Sequence, residues 1–77
     1  MTPGQLRAAR ALVGIKVEEL AKLAEVAPNT ISRFEREEGL MRRATVSVLA
    51  RVLADRGAEL TADGGVRPAR QAQPIAA

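Results

Sequence analysis

EELAKLAEVAPNTISRFE, residues 18–35, holds two short helical patterns with almost nothing between them. Leu20, Ala21, Leu23 and Ala24 give a first helix one apolar face, and Ile31 and Phe34, three apart, give a second helix an apolar stripe. Only Glu25, Val26 and Ala27 connect them, and Pro28 follows where a helix accepts proline, in its first turn. A connection this short disfavours an antiparallel pair and predicts a steep crossing, the helix-turn-helix arrangement, with one side of the second helix left free.

The residues on either side extend the pattern. Thr2, Pro3 and Gln5 spell an N-cap, a first-turn proline and a capping box, predicting a first helix over about 3–13 that Gly14 ends. Leu6, Ala9 and Val13 share its inward face, and Leu12 widens it. Ile15 and Val17 open the second helix, where Glu18 and Glu19 sit at the positive end of the helix dipole. That placement explains the acidic pair without chemistry, since a catalytic dyad needs an enclosed cleft and a raised pKa. The third helix is expected over 28 to about 37, broken by Gly39, with Leu40 and Met41 tucked against the core. A fourth helix is expected from Ala44 or Thr45 to about Arg56, stopped by Gly57, with Val46, Leu49, Ala50 and Leu53 inward. Beyond it, 58–61 and 66–67 flank a Gly-rich turn and read as a weak hairpin that needs support. The proline-containing segment 68–77 is expected to be a disordered tail.

Composition narrows the function classes. The 77 residues make one small domain near the size at which a single core yields only a few kcal/mol, so oligomerisation would help. There is no cysteine and no histidine, which removes disulfides, thiolate metal sites and the commonest general base; no cofactor, no metal and no enzymatic activity are expected. Phe34 is the one aromatic residue, against the stacking platforms of single-strand and RNA binders. A net charge of +3 favours a polyanionic partner. Met1 to Arg10 has no apolar signal core and no apolar run approaches a membrane span, so a cytoplasmic, nucleoid-associated protein with no membrane partner is the default.

Residues 6–53 resemble the Cro and phage-repressor type of helix-turn-helix regulators, also called the xenobiotic-response-element family. The resemblance rests on Leu12-Val13-Gly14, Glu19-Leu20-Ala21, Ala24, Val26 and the run Thr30-Ile31-Ser32-Arg33-Phe34-Glu35. The chain departs from the family pattern at Val17, where a phosphate-binding Gln is usual, at Glu25, where Gly is usual, and at Ala27, where a hydroxyl cap is usual. The resemblance implies an all-α, four-helix, lambda-repressor-like fold, here 1–57, followed by an extended dimerisation segment, 58–67. It also implies a salt bridge between Arg10 and Glu35.

By the same resemblance the base-reading positions are Pro28, Asn29, Ser32 and Arg33. Arg can pair bidentately with guanine and Asn with adenine in the major groove, so Arg33 and Asn29 are the expected specificity residues. Lys16, Thr30, Arg42 and Arg43 are expected at phosphates; Lys16 reads equally as a solvated surface charge, and a solvated loop pair is the alternative for Arg42 and Arg43. Val48 and Val52, four apart and left outside the core stripe, are expected with Leu60 to form a dimer contact, with itself or with a related chain. The expected function is a dimeric, sequence-specific repressor of double-stranded DNA with half-sites roughly 34 Å apart. No small-molecule ligand is expected. The competing expectation is an antitoxin or accessory subunit that keeps the helix-turn-helix as scaffold and binds protein through its C-terminal segment.

Overall fold

The computed structural model describes residues 1–69. Four helices come first: α1 (Pro3–Val13), α2 (Val17–Ala24), α3 (Pro28–Glu35) and α4 (Arg43–Arg56). Two strands follow, β1 (Ala58–Leu60) and β2 (Val66–Pro68), paired antiparallel with Glu59 opposite Arg67. The extended segment thus runs one residue past 58–67, and the Ala69 amide donates back to the Gly57 carbonyl at 2.8 Å. The remainder of the expected disordered tail, 70–77, lies outside the described residues.

The helix ends follow from local chemistry. Thr2 and Gln5 bond each other reciprocally, the Gln5 amide to Thr2 Oγ1 at 3.0 Å and the Thr2 amide to Gln5 Oε1 at 2.9 Å. Gly14 ends α1 in the left-handed conformation (φ 69°). Glu25 ends α2 in the same conformation (φ 58°), with the Val26 amide bonded to the Ala21 carbonyl at 3.0 Å. This turn therefore has the shape that favours Gly, and Glu25 adopts it against a steric cost of about 1–2 kcal/mol. Helix α3 stops at Glu35, two residues before the expected end. Glu37 turns left-handed (φ 62°), its amide bonds Phe34 O at 2.9 Å, and the Glu38 amide bonds Arg33 O at 2.8 Å. The reversal comes before Gly39, so the glycine is not what ends the helix.

The buried core consists of Leu6, Ala9, Ile15, Leu20, Ala21, Ala24, Ile31, Phe34, Leu49, Leu53 and Ala58, while Val46 and Ala50, expected inward, are only half-buried. Three apolar residues expected inside stand outside: Leu12, Leu23 and Leu40. Leu12 and Leu23 lie about 70° and about 100° around their helices from the centre of the buried stripe, on its flank rather than within it. Leu40 follows the left-handed turn at Glu37, which directs Met41 rather than Leu40 against the core.

The hairpin finds its support within the chain. Ala58 is buried, Leu60 and Val66 pack on the core, and β1 lies against α1 and α4. Gln5, nearly fully buried, donates its Nε2 hydrogens to the Thr61 and Gly65 carbonyls, both at 3.0 Å. One side chain thereby caps α1 and clamps the hairpin turn. Within that turn, a hydrogen bond from the Thr61 hydroxyl and then one from the Gly65 amide hold the Asp63 carboxyl below its ordinary pKa. Gln5→Ala removes both clamping bonds, so a loss of about 1–2 kcal/mol in urea unfolding is expected. Faster hydrogen exchange at the hairpin amides should accompany it, and unchanged hairpin protection would show the clamp to be idle.

Candidate nucleic-acid interface

Ile31 and Phe34 anchor α3 inward, which turns its other side to solvent. Pro28, Asn29 and Arg33 are exposed there, and Thr30 and Ser32 are half-buried beside them. The Asn29 side chain makes no hydrogen bond among the described residues, so its amide is available to a ligand. Arg33 is partly committed: its Nη2 donates to the Glu38 carbonyl at 3.1 Å, and the side chain folds back along Gly39. A Cβ built on Gly39 would stand 3.7 Å from Arg33 Cβ and 3.9 Å from Arg33 Nε and Cζ, so the Arg33 side chain lies at packing distance along this position. Asn29, Thr30, Arg33, Gly39 and Leu40 together line a shallow groove of about 240 Å³. Leu40 has no place in the sequence expectation for this surface. A large apolar residue directly after the loop glycine was the only signal that could have flagged it.

The C-terminal end of α3 is fixed from below. Arg10 grips Glu35 with two prongs, Nε to Oε2 at 2.6 Å and Nη2 to Oε1 at 2.8 Å, and its Nη1 donates to the Ile15 carbonyl at 3.2 Å. Arg7 donates to the Glu35 backbone carbonyl. The hydrogen bond to Glu35 is the main cause that raises the Arg10 pKa; burial opposes it, and the charges of Glu35 and Glu18 add smaller upward contributions. Two arginines of α1 thus set the position from which α3 projects.

Charge is distributed unevenly over the surface. Glu19, Glu38 and Glu59 are paired with Arg56, Arg36 and Arg67. Lys16, Arg42 and Arg43, all exposed, make no ion pair among the described residues. Arg42 and Arg43 stand at the N-cap and first position of α4, whose amides receive no side-chain cap. Cations are unfavourable at the positive end of a helix dipole, and an anion bound there would relieve both the charge and the open amides. Lys16 caps α2 in the same way without a side-chain bond, though Glu18 and Glu19 temper the charge nearby.

Of the residues expected to meet a second chain, Val48 projects beside a surface depression shared with Ser47 and Arg51. Val52 and Leu60 are half-buried and packed on their own core.

Two packed helices, α2 and α3, joined by three residues, with an exposed polar face on the second and unpaired cations elsewhere on the described surface, make the architecture of a helix-turn-helix DNA-binding domain. The helix-turn-helix family model of Cro/C1 type, the XRE family, matches residues 6–54, well over half of the chain, and the chain belongs to that family. No curated protein matches it. The family binds DNA and is not enzymatic, and its members' domain implies a role in transcriptional regulation. Among the described residues no helix is long and apolar enough to cross a membrane.

Proposed function

We propose that this protein is a sequence-specific repressor that binds a pseudo-palindromic operator as a dimer, with α3 of each copy in successive major grooves. The observation that carries the reading is the outward face of α3, where Asn29 is exposed and unbonded and Arg33 lies beside it at the mouth of an open groove. Asn29 and Arg33 are assigned to bases, with Pro28 and Ser32 at the remaining base-reading positions, and Lys16, Thr30, Arg42 and Arg43 to phosphates. Val48, with Val52 and Leu60 behind it, is the proposed contact between copies.

Selection of preferred duplexes from a random pool, with the mass of the complex measured, tests the whole reading. The expected outcome is a two-fold symmetric site with half-sites roughly 34 Å apart and two chains per duplex. A pool with no preferred sequence would favour the accessory-subunit alternative, in which the helix-turn-helix serves only as scaffold. Within the repressor reading, Arg43→Ala should weaken all duplexes to a similar degree and reduce the slope of log affinity against log salt by about 1 per chain. A loss confined to one base position would instead make Arg43 a base reader.

A further inference from the structure

Leu40 is 96% exposed, far more than any other large apolar side chain among the described residues. A single exposed leucine is ordinary. Its surroundings are not: it forms one wall of the groove whose other walls are Asn29, Thr30, Arg33 and Gly39, on the face that the proposed function aims at DNA. Across that groove the Arg33 guanidinium spends one donor on the Glu38 carbonyl and keeps the rest, so it is held in place while still able to donate.

We infer that this groove reads a thymine beside a guanine, with Arg33 bonding the guanine edge and Leu40 packing on the thymine 5-methyl group. The inference rests on the repressor reading and names one determinant of its specificity. In the major groove thymine alone presents an apolar group, and guanine presents the two acceptors that suit an arginine fork. A fully exposed leucine next to a positioned guanidinium matches that pair of features. Arg42 and Arg43 follow Leu40 in the same stretch of chain, so the phosphate contacts proposed for them would bring Leu40 to the duplex.

The test starts from the duplex that the wild-type chain selects. Each thymine is replaced in turn by deoxyuridine, which deletes the methyl group alone, and binding is measured for the wild type and for Leu40→Ala. Leu40 is solvent-covered, so Leu40→Ala should keep the wild-type circular dichroism spectrum and melting temperature. At one thymine per half-site, next to a guanine, the wild type should lose roughly fourfold in affinity, the factor for one buried methyl group. Leu40→Ala should bind the parent duplex correspondingly more weakly and show no further loss with uridine at that position. Equal sensitivity of both proteins at every thymine would overturn the assignment while leaving the operator reading intact. Absence of any preferred duplex would overturn both.

Discussion

Arg10→Ala is expected to destabilise the domain by about 3–5 kcal/mol, the cost of leaving one member of a buried ion pair without its partner. Glu35 is only 8% exposed, and the substitution strips both prongs from its carboxylate. The bond from Arg7 reaches only the Glu35 backbone and does not neutralise the side chain. In a domain this small such a loss takes most of the folding free energy, so thermal unfolding should show a largely unfolded variant at 25 °C. Arg10→Met combined with Glu35→Leu should recover most of the stability, because removing both charges leaves none buried and unpaired. A single variant that melts close to the wild type would mean that water reaches Glu35 and that α3 is held by apolar packing alone. The pH sign is also defined. A cation whose pKa is raised on folding contributes its full stabilisation below the unfolded-state value and loses it only as pH rises through the higher folded-state value. The Arg10 arm should therefore give no slope in stability from neutral to moderately alkaline pH.

Arg33→Ala is expected to cost about 1–3 kcal/mol of binding on the selected operator and to relax the preference at one base position. The experiment is fluorescence anisotropy at fixed salt on the selected duplex and on variants substituted at each position. Stability should change by no more than about 0.5 kcal/mol, since the side chain is exposed and its bond to Glu38 is a surface one. Arg33→Lys should not restore selectivity, because a point-like ammonium lacks the planar fork that matches the guanine edge. Unaltered selectivity in Arg33→Ala would remove Arg33 from base reading and leave Asn29 as the principal candidate. In the bound state the Arg33 side chain either keeps its bond to Glu38 and bridges, or exchanges it for the base. Glu38 offers only its backbone carbonyl to Arg33, so exchanging that bond for a base leaves no buried group unpaired.

Much of the fold is legible in local sequence. Thr2, Pro3 and Gln5 place the start of α1, Gly14 its end, Pro28 the first turn of α3 and Gly57 the end of α4, because caps act within a few residues of where they sit. The end of α3 is less legible, since the left-handed residue that stops it is Glu37, and nothing in the run Arg36-Glu37-Glu38 distinguishes that position. Leu12 and Leu23 belong to the apolar faces by hydrophobicity yet stand exposed, because hydrophobicity alone does not say how far around the helix the neighbours reach.

The amino-acid sequence by itself determined the four helices, the brief turn between α2 and α3, and the outward side of α3. Each of these follows from the 3.6-residue period and from capping between near neighbours. Tertiary structure alone decided that Gln5 clamps a turn 56 to 60 residues away and that Leu40 stays in solvent beside Arg33 while Met41 turns inward. Those outcomes depend on how the helices cross and on the backbone reversal at Glu37. The crossing is set by packing among residues distant in the chain, which a short-range pattern does not encode, and the reversal falls on a residue type that gives no sign of it.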